Sequence, residues 1–330
     1  MRRKIIIGLL VSAVFLFLAF RNVKLAELAD GLKRTNYTSL VPAAMLMVVS
    51  LLFRALRWKY LLLSLKRVGF PNLFIATSIG MMANNVLPAR MGEFVRAYLI
   101  GVWEGISKSA SFATVVVERI FDGMIILGFL AAIVLFKSLS LPDWLGHIVA
   151  GTLVLYGFSI AFLLLMWFRK ERALAIVSFV TRSFSDRARR SVFKVIDSFI
   201  DGLQIVESFP KLILAGVLSV LVWLPNAIVT HIILRSTGIV LPFHAAVLLL
   251  VILCIGVMIP SAPGFAGTIQ YFCVLGLSIY AVAANEALSF SLVYHASVFI
   301  PLTGMGILCL MWKGMSLREL RRKVESEADE

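Results

Sequence analysis

The sequence predicts an all-α fold, a polytopic transmembrane helical bundle of about six full spans plus two broken or re-entrant helical hairpins. Three observations carry that expectation. The chain is 60% hydrophobic and only 15% charged over 330 residues, beyond what one water-facing globule can bury. Its mean hydropathy is +0.95, and several apolar runs reach the roughly 20 residues that a bilayer crossing needs. Two further apolar stretches are each interrupted by a polar or Pro/Gly-rich break.

The elements follow in order. Arg2-Arg3-Lys4 precedes an apolar stretch from Ile5 to Phe20 with no small-x-small cleavage site after it, so it reads as an uncleaved first span. Leu25, Leu28, Ala29 and Leu32 then recur at helical spacing, predicting a short amphipathic surface helix. A second span covers Tyr37 to Phe53 and ends in Arg54, Arg57 and Trp58, the composition of a cytoplasmic interfacial anchor. From Leu73 an apolar arm runs to Ala83, breaks at Asn84 to Gly92, and returns from Glu93 to Gly101. Each arm is too short for a comfortable crossing, so the pair reads as a hairpin dipping into the membrane or as two half-length crossings, and either returns the chain to its own side. Further spans cover Phe112 to Phe136, Ile148 to Phe168, Leu212 to Leu234 and Ala287 to Trp312. Between the last two lies the second broken element, with arms from Ala245 to Ile259 and on to Ala284 around the break Pro260 to Gly267. The basic stretch 169–210 carries an apolar stripe through Val195, Phe199 and Leu203. It reads either as an in-plane cytoplasmic helix or as a helix packed on the bundle.

The chain is expected to form one integral membrane domain, 1–330, closed by a charged tail at 313–330. The formal charge of +14 could point to nucleic acid, but its distribution points to topology. With each hairpin returning to its own side, 23 of the 32 basic residues fall on one face, which predicts a multi-pass protein of the cell membrane with both termini cytoplasmic. The hairpins then enter from opposite sides. The units 37–136 and 211–312 become span, broken hairpin, span in opposite orientation, the layout of an inverted repeat.

The residues with most chemistry are Arg90, Glu93, Arg96, Glu118, Arg119 and Asp122. A charge near a helix centre costs about 2.5–3.5 kcal/mol on insertion scales, so these six must be paired, solvated or near an interface. One reading is a self-neutralising structural network, three positive against three negative. The other is a site in which Arg90, at the start of a half-helix whose free N–H groups and dipole favour an anion, holds a negatively charged group. The second break has no charge; Ser261, Thr268 and Gln270 offer polar groups beside Gly264 and Gly267, and a simple kink is the alternative there. Two half-helix N-termini meeting from opposite sides would suit a phosphate. Cys254, Cys273 and Cys309 are far apart and form no CxxC pair. No HExxH, GxSxG, Walker or Gly-rich dinucleotide signature is present. No cofactor, metal or catalytic residue is therefore expected, and nucleic acid is not an expected partner.

The stretches Arg54-x-x-Arg57-Trp58, Asn85-Val86-Leu87-Pro88-Ala89-Arg90-Met91-Gly92-Glu93-x-x-Arg96, Glu118-Arg119-x-x-Asp122 and Pro260-x-x-Pro263-Gly264-x-x-Gly267 together resemble the flippase-like transmembrane region of lysylphosphatidylglycerol synthases, over about Ile5 to Trp312. The resemblance implies lipid handling. In full-length relatives this region moves an aminoacylated phospholipid between leaflets, while a separate soluble domain makes it. The stretch after Trp312 is too short for that domain, so the chain is expected to act as a stand-alone member and not as a synthase. It further implies that Asn85 belongs to the candidate site, and that the position of Gln270 is often Glu in relatives. The expected function is translocation of an anionic phospholipid or polyprenyl-phosphate lipid. The competing expectations are a membrane-embedded lipid-modifying transferase and a non-catalytic partner of a cell-envelope enzyme.

Overall fold

The computed structural model describes residues 2–21, 23–87, 90–137, 142–169, 181–183, 186–203 and 209–316, with residues 171, 174, 175, 178 and 319 besides. The tail beyond 319, most of 170–180 and positions 88 and 89 within the first break lie outside the described residues. Twelve α-helices and no strand are found among those described.

The helices are α1 (Arg2–Phe20), α2 (Leu25–Arg34), α3 (Leu40–Leu62), α4 (Phe70–Val86), α5 (Gly92–Glu104), α6 (Lys108–Lys137), α7 (Asp143–Phe168), α8 (Asp186–Gly202), α9 (Phe209–Ser236), α10 (Phe243–Gly256), α11 (Thr268–Ser278) and α12 (Ala284–Trp312). Five stretches, 37–62, 108–136, 143–166, 209–236 and 284–312, are long and apolar enough to cross a membrane. The pair α1 and α2 meets the same test as one span bent by 87°.

Both interrupted elements are helical hairpins. In the first, α4 stops after Val86 and α5 starts at Gly92. The two arms lie backbone to backbone, because a Cβ at Gly92 would collide with the carbonyl oxygen of Gly80. Asn84 Oδ1 accepts the N–H of Gly92 at 2.8 Å, so a side chain from one arm caps the first turn of the other. In the second, Gly264 and Gly267 take φ of +75° and +85°, a left-handed backbone that glycine adopts without steric cost. Gly264 lies inside the turn Pro263–Phe265, and Gly267 precedes the helix that starts at Thr268.

Helix ends sort onto two faces of the bundle. On one, Asn72 donates to Glu104 at 2.8 Å and Lys313 donates to Asn72 at 3.0 Å, joining the foot of α4, the end of α5 and the end of α12. On the other, the N–H of Asn36 donates to Ser236 O at 2.8 Å, and the N–H of Lys24 donates to Asn285 Oδ1 at 3.0 Å. The first hairpin therefore enters from the Asn72 face and the second from the Asn36 face. Packing repeats in the same sense. Helices α3 and α9 pack on each other, and α4 on α12 is matched by α10 on α6. The arms α4–α5 and α10–α11, and the pairs α5–α6 and α11–α12, correspond likewise. Exchanging the halves leaves the scheme unchanged, as an inverted repeat requires.

Two expectations need correction or resolution. Arg54, Arg57 and Trp58 are not an interfacial anchor: α3 continues to Leu62, and Arg57 and Trp58 are fully buried. Carboxylates on α6 compensate the arginines there, so the bilayer surface is not needed to hold them. Helix α8 packs on α6, with Ile200 and Leu203 buried and a Cβ at Gly202 blocked by Ala110 O. Packing on the bundle is thus the reading that holds for α8.

Candidate functional site

Eight charged side chains from three helical elements and one break meet inside the bundle. Helix α3 supplies Arg54 and Arg57, the first break supplies Arg90, α5 supplies Glu93 and Arg96, and α6 supplies Glu118, Arg119 and Asp122. Residues 118, 119 and 122 lie within about one turn, so α6 presents two carboxylates to α3 while Arg119 turns toward the hairpin.

The cluster divides into two layers. In the inner layer, Arg57 Nη1 lies 2.6 Å from Asp122 Oδ1, and Arg57 Nε lies 3.6 Å from Glu118 Oε1. Arg96 pairs with Glu118 and lies 4.8 Å over the ring of Trp58. Ser219 Oγ accepts from Arg57 at 2.8 Å, and Trp223 Nε1 donates to Asp122 at 2.8 Å. Two arginines meet two carboxylates, and Arg57, Arg96 and Glu118 are sealed from solvent. This layer is the self-neutralising network, and it bolts α3, α5, α6 and α9 together.

The outer layer is not neutral. Arg119 sits 2.9 Å from Asp122 and 3.6 Å from Glu93. Arg54 reaches Asp122 only at 3.8 Å and leans on the Trp223 ring at 5.2 Å. Among the described residues, no carboxylate lies within ion-pair distance of Arg90. Its Nη1 is 3.5 Å from Val257 O, its plane is 5.7 Å from the Phe265 ring, and its buried Nε has no hydrogen-bond partner. Arg90 also holds a φ of +54°, a backbone state that costs a non-glycine residue of the order of 1–3 kcal/mol. With Asp122 assigned to Arg57, the outer layer sets Arg54, Arg90 and Arg119 against Glu93 alone. The whole cluster carries five positive and three negative groups.

Two adjoining cavities open onto that surplus. The larger, ≈ 410 Å³, is lined by the charged Arg90, Glu93, Arg119 and Asp122 and by the apolar Ile126, Leu127, Ile255 and Met258. The smaller, ≈ 170 Å³, lies between Arg54, Asn84, Asn85, Asn226, Gly264 and Phe265. Arg90, Arg119, Trp223, Cys254 and Val257 line both, so the cavities share a wall. Neither is lined by Arg57, Arg96 or Glu118.

The structure brings together Asn85, Arg90, Glu93, Arg119, Asp122 and Gly264 around this space. It does not bring Ser261, Gly267, Thr268 or Gln270 to it. Gln270 Oε1 accepts the N–H of Gly267 at 2.7 Å and its Nε2 lies 3.1 Å from His295 Nδ1, so its amide is used in capping α11. Gly267 and Ser261 face α1 instead. The N–H of Gly92 is likewise satisfied by Asn84, so the positive field of the cavity comes chiefly from guanidinium groups. Asn85 Nδ2 donates to Thr303 at 2.9 Å, tying the break to α12. Sequence reasoning missed Arg54, Arg57, Trp223, Asn226 and Tyr156. A polar Trp223-Leu224-Pro225-Asn226 patch in mid-span was the available signal for two of them. Among the described residues, no group of three His, Cys, Asp or Glu is placed to hold a metal ion.

A helical bundle with two opposed broken hairpins around a charged internal chamber defines a multi-pass membrane protein whose site lies at the level of its spans. The chain belongs to the family described as the lysylphosphatidylglycerol synthase TM region, which it matches over residues 5–306. A UPF0104 membrane protein of Methanothermobacter thermautotrophicus is 26% identical over 333 residues, covering 96% of each chain. One of Methanocaldococcus jannaschii is 27% identical over 154 residues, 46% of each chain. A protein of Haloferax volcanii named glycosyltransferase AglD is 34% identical over 137 residues, 41% of this chain and 22% of that one. No solved structure matches the chain.

Proposed function

We propose that this protein is a flippase-like lipid translocator of the cell membrane, acting on an anionic phospholipid or polyprenyl-phosphate lipid whose phosphate sits at Arg90, Arg119 and Arg54. The observation that carries the reading is the charge surplus of the outer layer. Surplus guanidinium groups in a low-dielectric chamber are costly when empty and favour an anion strongly. A phosphate accepts from arginine in a fork geometry that no neutral headgroup matches. Glu93 and Asp122 hold Arg119 in place for that contact.

Opposed hairpins supply the rest of the reading. Sites of many transporters lie where broken helices meet near the midplane, and access alternates as one repeat rocks against the other. The face joined by Asn72, Glu104 and Lys313 is then cytoplasmic, with both termini on that side. Transfer of labelled anionic lipid between leaflets of reconstituted vesicles tests the function. Translocation by the wild type that is lost in Arg90→Ala supports it; no translocation by the wild type sinks it.

The partial match to a protein named as a glycosyltransferase favours a second reading, in which the chain presents a lipid-linked substrate to a cell-envelope enzyme. Stable co-purification with such an enzyme, without lipid transfer by the isolated protein, would favour it.

A further inference from the structure

The repeat extends beyond the units around the hairpins. Helix α2 lies on α12 as α8 lies on α6, and α1 precedes α2 as α7 precedes α8. The halves are thus α1–α6 and α7–α12, and α1 and α7 hold matching places in the order of the two halves. They fill those places differently.

Helix α1 is clamped to the second hairpin. Ser12 Oγ accepts the N–H of Ala262 at 2.8 Å. A Cβ at Gly8 would stand 2.9 Å from Ser261 O, and one at Gly267 would collide with Ser12 O. Helix α7 has no such seat. Its extended contact is with α6. Leu145 and Met166 are buried near its two ends, in separate core clusters, yet no residue from Gly146 to Leu165 is buried. Between those ends the ring of Tyr156 fills a notch at Gly123, and its hydroxyl lies 3.4 Å from Arg119 O. Thr152 and Tyr156 line the larger cavity from α7, as Met258 does from just after α10.

We infer that the space between α7 and α10 is a lateral portal, occupied by the hydrocarbon chain of the lipid whose anionic head sits at Arg90 and Arg119. The inference rests on the reading given under Proposed function. The larger cavity combines charged lining at Arg90, Glu93, Arg119 and Asp122 with apolar lining at Leu127 and Met258. Its ≈ 410 Å³ suits a headgroup and the carbons next to it, within the usual range for one bound small molecule. The rest of a lipid chain must leave the cavity, and the apolar lining is where it does so without desolvating the charges. Met258 is 46% exposed and marks the mouth. Helix α7, buried near its ends and touching α6 between them through Tyr156, is the wall of this portal.

The test places a photoreactive benzoylphenylalanine at Leu127 or at Met258 in the full chain, in native membranes, with Ile300 as control. Ile300 is 65% exposed on the outside of α12 and reports bulk lipid. Mass spectrometry after illumination should find adducts at Leu127 and Met258 enriched several-fold in one anionic headgroup class relative to Ile300. Combining the probe with Arg90→Ala should return them to the bulk composition. Adducts at the two portal positions that match those at Ile300 overturn the portal. Native mass spectrometry of the unprobed protein then separates the two failures. An anionic lipid that co-purifies with wild type and is lost from Arg90→Ala leaves the arginine site standing without the portal. No retained anionic lipid removes both.

Discussion

At the scale of single residues, Asp122 and Arg90 have opposite characters. Asp122 serves Arg57, Arg54, Arg119 and the Trp223 indole at once. Asp122→Asn removes the charge that compensates them and leaves buried cations unpaired. Loss of one partner of a buried pair typically costs about 3–5 kcal/mol, so thermal unfolding of the detergent-solubilised variant should begin well below that of the wild type. Arg90 has no such duty. Arg90→Ala should not lower, and by removing a surplus charge should raise, the unfolding midpoint of the lipid-free protein, while anionic-lipid affinity falls roughly 10- to 100-fold, the loss expected for hydrogen bonds to a charged group; thermal unfolding and lipid titration followed by tryptophan fluorescence check the two. Sequence alone marked Arg90, Arg119 and Asp122 because charges are scarce in apolar runs. It misplaced Arg54 and Arg57, since an arginine pair beside a tryptophan near the end of an apolar run also describes a headgroup anchor. What decides between these readings is Glu118 and Asp122, more than sixty positions away.

At the scale of elements, the first hairpin depends on two glycines and a cap. Gly92→Ala drives a methyl into Gly80 O, with no flexible side chain to give way. Overpacking of this kind costs typically 1–3 kcal/mol, and it should splay α4 from α5. Faster amide exchange across 80–96 in the variant is the readout. Asn84→Ala should cost about 1 kcal/mol through loss of the α5 cap, whereas Asn85→Ala should instead loosen the break from α12. Both breaks were legible, because asparagine, proline and glycine rarely interrupt a span without purpose. Which of two neighbouring asparagines caps a helix was not legible. That depends on the angle between the arms, which local sequence does not encode. Gln270 shows the same limit: a polar group at a half-helix start reads as a ligand, but here its geometry closes on Gly267 and His295.

At the scale of the molecule, the proposed function makes the empty chamber, with its surplus of two positive charges, the less stable form. Anionic lipid should therefore raise the midpoint of thermal unfolding, by the equivalent of about 2.7 kcal/mol at a hundredfold excess over the dissociation constant. A zwitterionic lipid of the same chain length should not, and Arg90→Ala should blunt the response. The basic residues crowd one face in the order of the spans, and the proposed orientation rests on them. The six-helix repeat was not legible in the sequence. Two halves can share a packing scheme through glycine contacts and helix lengths while sharing few side chains, and only the positions of α2 and α8 reveal how far the correspondence runs.

One thiol stands at the partition between the two cavities. Cys254 lines both, while Cys273 and Cys309 are buried in the core. Nature has thus left a single chemical reporter where cargo would pass, and no engineered label is required to watch it. A small maleimide should alkylate Cys254 first, more slowly whenever a headgroup fills the chamber, and the modified molecule should be plugged. The rate of that one reaction, followed in intact membranes, would time the passage of cargo in the unaltered protein.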